Sequence, residues 1–442
     1  MDEVVRQKHR GWASCAAVNR DWQAVIARAN FRRLNLKQDD VDRLNEMTSR
    51  HRSYVQYIYF HIDLPRYSCL SCCQLTLEIA ASSSSDTEHW FKHFQFGYDN
   101  GEAGGGRQHP WQYGKRARRP PPLMAFMRLF RPACGTPIQH LPAVLAVTEL
   151  IIRRPLRRRI NASVWQGIFA SLPRLTRLTY EMWRNQLEGD CDTGSTETYM
   201  LVQQGILNQL ESLTLFEDPN DALMAAVAEH PGLQPIISMG VYGLNHSPVR
   251  GLFMTSLSLR HLSVSFSVTA EDFFTVGPVN YAWWFLRSLA LRSCSLTSNG
   301  AAPCSGWNLT SLPSIVFTRM PVLETLALWW STGDGRDACA LIYERKSRNM
   351  GTLTWRGTGR PPQWFGKLVT HWATLGAQMW PGYFLSVSVE KINGSRIYGL
   401  GDALHKLRLP VEVINPMSLR QMRQEKALEI LSTPGVSLSH LV

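Results

Sequence analysis

The side chains best suited to metal binding in this sequence are a cluster of cysteines with histidines nearby. The run Cys69-Leu-Ser-Cys72-Cys73 contains one half of a zinc-binding spacing, and three histidines lie within reach in sequence: His61, His89 and His93. A structural zinc site needs four ligands, and the sequence has no second Cys-x-x-Cys pair. Cys73 also shares the alternating phase of Leu75 and Leu77, which is typical of a strand. We therefore expect packed thiols and no metal site.

Catalytic motifs are not found in the sequence. It contains no phosphate-binding Gly-x-x-x-x-Gly-Lys, no Gly-x-Ser-x-Gly elbow, no His-Glu-x-x-His and no Gly-x-Gly-x-x-Gly. Two carboxylate pairs, Glu271 with Asp272 and Asp334 with Asp337, have no recognisable partner. They fit solvated loops better than acid–base chemistry. We therefore predict a non-catalytic protein without a cofactor.

Positive charge is concentrated in one part of the chain. The net charge is +12, and residues 107–159 contain twelve basic side chains against one acid, Glu149. The rest of the chain is therefore nearly neutral, which makes nucleic acid an unlikely partner of the whole fold. Three interpretations of the clusters remain open: a site for a phosphorylated or acidic substrate, a nuclear-import signal, or a solvated surface. The first would use Arg153, Arg154, Arg157 and Arg158.

Tryptophan is the other residue type that could bind a partner. The chain has fifteen, and the pairs Trp283-Trp284 and Trp329-Trp330 adjoin strand-like segments. Alternation along a strand sends one ring of each pair inward and the other outward. An outward Trp284 or Trp330 would suit a binding hot spot, whereas packing of both rings between layers of the fold is the alternative.

Composition and length indicate the class of protein. The chain has 442 residues, 44% of them hydrophobic, and nine cysteines, an odd number that does not resemble a disulfide framework. The first residues lack the apolar stretch of a secretory signal. No apolar run approaches the roughly 18–20 residues that a membrane span requires. We expect a protein of the cytoplasm or nucleus that has no membrane partner.

An apolar-x-x-apolar-x-apolar signature recurs along the chain and is typical of the strands of leucine-rich repeats. It begins at ten positions: Phe31, Val55, Val147, Leu175, Leu210, Leu259, Leu286, Leu323, Met350 and Leu404. Val147 to Leu175 spans 28 residues, and Leu259 to Leu286 and Leu323 to Met350 each span 27, but other spacings are longer. The signature predicts an α/β fold with an irregular leucine-rich-repeat-like solenoid. An α/β fold in which strands and helices simply alternate is the alternative.

Helices are expected between and after these strands. Residues 162–172 follow Asn161, a suitable N-cap, and residues 198–210 carry apolar side chains at helical spacing. Residues 416–431 predict a helix that caps the last repeat. Loops are expected at 97–122 and 293–306. The predicted segments are a helical docking segment (1–37), the first repeat-like strands (38–96), a disordered basic Gly/Pro loop (97–122), the solenoid (123–410), and the capping helix with a tail (411–442).

The most specific resemblance is carried by residues 11–36. Val18, Arg20 and Trp22 lie in a helix-like run that continues through Ile26 to Phe31, Leu34 and Leu36. This segment resembles the second half of an F-box, whose usual Leu-Pro opening it lacks. Nearly the whole chain resembles fungal F-box proteins of a leucine-rich type, through runs such as Leu150-Ile-Ile-Arg-Arg, Leu262-Ser-Val-Ser-Phe266 and Met320-Pro-Val-Leu-Glu-Thr-Leu326.

The resemblance implies a substrate-recognition subunit of an SCF-type ubiquitin ligase. Val18, Arg20, Trp22, Ile26 and Phe31 would then bind a Skp-family adaptor and, through it, a cullin. The repeats would bind a protein substrate for ubiquitin-dependent degradation. Two alternatives remain: the F-box remnant only fixes its segment to the repeats, or the chain is a non-ligase scaffold or nucleic-acid-associated protein that uses residues 107–159.

Overall fold

The structure is a computed structural model. It describes residues 20–31, 33–36, 57–61, 75–80, 141–154, 156, 160, 162–184, 209–219, 247–277, 281–296, 307–394 and 397–431. By their contacts, residues 1–118 and 127–179 form one unit, and residues 119–126 and 180–442 form a second. None of the described helices has the length and apolarity needed to cross a bilayer.

The fold mixes helices and strands, as the sequence predicts. The helices are α1 (Arg20–Phe31), α2 (Ala162–Ala170), α3 (Ser247–Ser256), α4 (Ala270–Val276), α5 (Leu312–Arg319), α6 (Trp364–Met379), α7 (Leu400–Leu407) and α8 (Pro416–Leu431). The strands are β1 (Arg33–Leu36), β2 (Tyr57–His61), β3 (Leu75–Ala80), β4 (Val147–Ile152), β5 (Arg177–Trp183), β6 (Ser212–Asp218), β7 (His261–Thr269), β8 (Ser288–Arg292), β9 (Thr325–Ser331), β10 (Ala338–Ser347), β11 (Met350–Gly357) and β12 (Phe384–Lys391).

The first unit contains four parallel strands, β1 to β4, whose order in the sheet follows the chain. Leu77 of β3 lies opposite Leu150 of β4, and Leu150 is fully buried. Helix α2 confirms the helix predicted over 162–172, and it buries Val164 and Ile168. Along the chain, α2 lies between β4 and β5.

The second unit continues the same pattern from β5 to β9, with each strand beside the next strand in sequence. Strands β6 to β9 are parallel and in register at their apolar positions. These positions form a leucine ladder, all of it buried: Leu213, Leu215, Leu262, Val264, Leu289, Leu291, Leu326 and Leu328. From β6 to β9 the signature therefore identified the strands and one of their buried sides.

Helices α3, α4 and α5 connect the ladder strands. Thr269 caps α4, because its side chain accepts a hydrogen bond from the Asp272 N–H at 3.2 Å. Phe253 of α3 packs edge-on against Trp283, with 5.1 Å between ring centroids. The indole Nε1–H of Trp283 donates to Ser256 at 2.7 Å, so the buried ring keeps its polar atom paired.

The run of parallel strands ends in a hairpin that the sequence analysis did not predict. Strand β10 is antiparallel to both β9 and β11. Gly335 has a φ of 73°, which lets the chain reverse between β9 and β10. The 27-residue spacing from Leu323 to Met350 therefore encloses a hairpin where a repeat would place a helix.

The C-terminal part also differs from the expectation. The strand predicted at Leu404 is wrong, because α7 buries Leu400, Ala403, Leu404 and Leu407 along one helical face. Helix α8 confirms the helix predicted over 416–431. Its first turn contacts β5 through Glu181, whereas a cap on the last repeat would contact β12.

Some expectations fall outside the described residues. These are the helix predicted at 198–210 except its last two residues, the loop at 97–122, the Cys69–Cys73 cluster and most of the loop at 293–306, of which Cys294–Leu296 forms a short 3-10 turn. Within the part of the chain that the structure describes, no three His, Cys, Asp or Glu side chains are grouped to hold a metal ion.

Candidate interaction surface

The sheet face opposite the leucine ladder divides into a covered half and an open half. Side chains alternate along each strand, so residues next to the ladder positions point to this second face. Towards the ends of the strands, the face is covered by residues 397–422, which we call the C-terminal segment. At the beginnings of the strands, polar side chains remain accessible.

Small residues make room for the C-terminal segment. Ala290, Ala327, Ala338 and Ala340 lie on the sheet where α7 packs, flanked by large side chains such as Trp329. All five are fully buried. The segment therefore belongs to the core of the second unit, and it occupies the sheet surface that a leucine-rich array would otherwise offer to a partner.

Polar contacts fix this segment at two places. Arg356 donates through Nη1 to the carbonyl oxygens of Leu407 and Arg408, at 2.6 and 2.9 Å. The fully buried Glu181 accepts from the Asn415 N–H at 2.5 Å and from the Ser418 hydroxyl. Hydrogen bonds to a charged partner are stronger than those between neutral groups. The segment is thus held at β11 and at β5.

Where the strands begin, six accessible side chains form a polar strip: Glu211, Arg260, His261, Arg287, Ser288 and Glu324. His261 and Ser288 are strand residues in phase with the second face, and the other four directly precede the strands. Arg260 is 3.7 Å from Glu211, and Arg287 is 2.9 Å from Glu324. Each of these four side chains is about half exposed. They precede the first ladder residue of successive strands, so the repeat itself places them in a row.

A histidine and a serine in the polar strip have the residue types of a hydrolase pair. His261 Nδ1 lies 2.8 Å from the Ser288 hydroxyl, on directly paired strand positions. Partial burial lowers the pKa of His261 from its ordinary value, although the Glu324 carboxylate opposes the shift. A triad also needs a carboxylate that orients the histidine, and Glu211 and Glu324 are bound to arginines. The pair is a cross-strand contact on an open surface.

Exposed aromatic rings lie immediately before β8. Trp283 is buried, whereas Trp284 is 64% and Phe285 is 60% exposed. This confirms the predicted alternation within the first tryptophan pair. We call Trp284 and Phe285 the aromatic pair; Arg287 of the polar strip follows two residues later. The exposure of Phe285 was not predicted. The signal for it is the run of three large rings before a short strand, because not all three can point inward.

The second tryptophan pair is less exposed than the first. Trp329 is fully buried under the C-terminal segment, and Trp330 is partly buried. The ring centroid of Trp329 lies 5.7 Å from that of Phe266 in an edge-on contact. Packing between layers, the alternative for these rings, is what the structure shows for Trp329.

The arginines predicted to bind substrate are not on the surface where the structure describes them. Arg153 and Arg154 are both buried, and Arg153 Nε donates to Glu78 at 2.5 Å. A buried guanidinium that is already paired does not reach an acidic peptide. Arg153 and Arg154 are therefore unsuitable for the substrate-binding role predicted from the sequence. Arg157 and Arg158 lie outside the described residues.

The predicted adaptor-binding residues are described only in part. Arg20, Trp22, Ile26 and Phe31 lie in α1, which is followed directly by β1. Ile26 is buried at 1% exposure. Val18 lies outside the described residues. The helix-then-strand order agrees with the segment predicted from the sequence.

Comparison with known proteins gives one match. Residues 206–415 match the model of a family of unknown function, DUF6546. This region extends from just before β6 to the residue that precedes α8, so it contains the leucine ladder, the polar strip and the aromatic pair. No curated protein and no solved structure gave a match.

Proposed function

We propose that this chain is a non-catalytic substrate-recognition subunit of an SCF-type ubiquitin ligase. In this proposal its parallel strands form an irregular leucine-rich-repeat-like solenoid, and residues 1–37 are an F-box remnant that docks a Skp-family adaptor and, through it, a cullin. The observation that supports the binding role is the exposure of the aromatic pair, which adjoins the polar strip in sequence, whereas the leucine ladder is buried. The protein would act in the cytoplasm or nucleus.

The physical argument for binding rests on the cost of leaving large rings in water. Trp284 and Phe285 are each more than half exposed, although the ladder beneath them is fully buried. Tryptophan is enriched at the centres of protein interfaces, and arginine beside it adds hydrogen bonds at the rim. The aromatic pair with Arg260 and Arg287 therefore suits an apolar anchor on a partner with a polar surround.

The adaptor role is supported by the sequence resemblance and by the order of α1 and β1. In a receptor of this kind no catalytic group is needed. The chain would raise the effective concentration of a bound protein near the ubiquitin-loading subunits.

The adaptor arm is tested by reconstitution with a purified Skp-family adaptor. We expect the full chain to bind it and the double variant Val18→Ala/Trp22→Ala to lose binding. Val25→Ala, on an exposed position of α1, is the matched control. Failure of the unaltered chain to bind, together with polyanion binding that weakens steeply with salt, would favour the scaffold alternative.

The substrate arm is tested in cells by comparing the proteins that the receptor ubiquitinates. Trp284→Ala/Phe285→Ala should abolish modification of specific targets, whereas Met254→Ala, an equally apolar exposed change on α3, should not. Removing a hot-spot ring typically weakens binding by about 2 kcal/mol or more, roughly thirtyfold. Unchanged targets in the aromatic variant would reject this surface.

A further inference from the structure

The outer edge of β12 has the features of a sheet edge that can pair with a further strand. β12 is the last strand in the order of its sheet, and within the described residues its only partner is β11. Phe384 is 63%, Val387 41% and Val389 55% exposed. Natural sheets usually protect such edges with charges, prolines or bulges. From Phe384 to Val389 this strand carries none of these.

The direction of the backbone groups along this edge follows from two hydrogen bonds. The N–H groups of Phe384 and Ile392 donate to the carbonyl oxygens of Asn349 and Gly357, at 2.8 and 2.9 Å. Even-numbered residues therefore direct their N–H and C=O groups towards β11. Because the direction alternates along a strand, the same groups of Leu385, Val387, Val389 and Lys391 point outward.

We propose that this edge pairs with the same edge of a second copy of the chain, antiparallel and centred on Ser388. In one continuous antiparallel sheet, directly opposed residues point to the same face, and this register meets that condition. It places Val387 opposite the partner's Val389 as a hydrogen-bonded pair, and Leu385 opposite the partner's Lys391. The two exposed valines of each copy thereby cover each other.

The opposite face of the strand is also compatible with this register. Ser386 would lie opposite the partner's Glu390, whose carboxylate can accept from the serine hydroxyl. Glu390 is already bound to Arg356 at 2.7 Å, so its charge is compensated within its own chain. The two Glu390 side chains of the pair lie four residues apart along the strands. No like charges therefore oppose each other.

The size of the contact predicts a weak dimer. Two paired strands of eight residues bury less than the roughly 1,200 Å² of a standard stable interface. Dimerisation should therefore depend on concentration over the range from about 1 μM to about 300 μM. Sedimentation equilibrium of the full chain measures it.

Val389→Pro is the decisive variant because it removes an outward N–H and leaves the bonds to β11 in place. We expect its dimer dissociation constant to rise by at least about tenfold. A second variant, Val387→Lys, places a charge in the proposed contact. Its control is Met254→Lys, the same kind of change at an exposed apolar residue of α3, where a proline would break the helix. Only the Val387 change should weaken the dimer.

The register has its own test by cross-linking. Ser388 faces the partner's Ser388 in a non-hydrogen-bonded pair, with Cα atoms about 4.5 Å apart, within the range of a disulfide. Ser388→Cys should give a covalent dimer on mild oxidation beyond the background of the native cysteines. Ser386→Cys, displaced from the axis, should not. A monomer at every concentration, or a dimer that Val389→Pro leaves intact, overturns the proposal.

Discussion

Glu181 is the residue whose replacement tests most directly how the C-terminal segment is held. Its carboxylate is fully buried and accepts hydrogen bonds from the Asn415 N–H and the Ser418 hydroxyl, more than 230 residues later in the chain. Glu181→Gln keeps the shape but replaces one acceptor oxygen with a donor NH₂. One buried donor then faces another donor, and the remaining bond loses its charged acceptor.

The magnitude follows from the bonds that are lost. A hydrogen bond to a charged group contributes about 1.5–3 kcal/mol, and an unpaired buried donor costs a similar amount. We therefore expect Glu181→Gln to destabilise the attachment of α8 by at least about 2 kcal/mol, which corresponds to a roughly thirtyfold increase in local opening. Ser418→Ala should cost about 1–2 kcal/mol, and combining the two changes should cost less than their sum.

Hydrogen exchange of the α8 amides measures this opening. Peptides that cover α8 should exchange faster in Glu181→Gln, whereas peptides from the leucine ladder should change little. Gln424→Ala, on an exposed position of the same helix, is the matched control. Unchanged α8 exchange in Glu181→Gln would refute the view that this carboxylate fixes the segment to β5.

Three further changes test the core and the polar strip. Leu289→Ala should lower the free energy of unfolding by about 3–4 kcal/mol, measured by urea denaturation, because the ladder is closed on both sides of this position. Gly376→Ala should destabilise the protein by about 1–3 kcal/mol, although alanine is a better helix former than glycine. The new Cβ would lie 2.2 Å from the Tyr383 ring, which aromatic neighbours hold in place, and thermal unfolding measures the effect. His261 has a lowered pKa, so the unfolded chain binds the proton first and stability should fall as the pH drops below about 6.5; His261→Asn should reduce that fall, measured as the urea midpoint against pH.

The strands of the ladder could be predicted because their leucines alternate as side chains do along an extended strand. Leu289 and Leu291 are two residues apart, which places both on one face of an extended strand, and the signature that begins at Leu286 repeats in the next strand from Leu323 through Leu326 and Leu328. All six side chains are buried. Period and burial therefore agree wherever the strand is short and its neighbour is parallel.

The same signature gave a wrong strand prediction where a helix has the same spacing of apolar residues. Leu404 and Leu407 are three residues apart, which fits both a repeat strand and one face of a helix. Leu400 and Ala403 extend the helical spacing backwards, and the segment forms α7. Strand β10 was missed for the opposite reason, because its run from Ala338 to Tyr343 is apolar on both faces and carries no alternation.

Charge was harder to place than apolar residues. Arg153 follows β4 in a run of basic residues, and nothing near it in sequence indicates that it is buried. Its partner, Glu78, lies 75 residues earlier on β3. Pairing across a parallel sheet brings together residues that are distant in sequence, so an ion pair of this kind is found only once the strand order is known.

Coverage by the C-terminal segment decides where a partner can bind the second unit. Trp329, Phe266 and Ala290 are buried under that segment, and removing it would expose a large apolar surface to water. The segment therefore stabilises the fold, and the same surface is not free for a substrate. In the proposed receptor, a partner would be bound by side chains that remain exposed while the core is closed, and Trp284 and Phe285, just before β8, are exposed in this way.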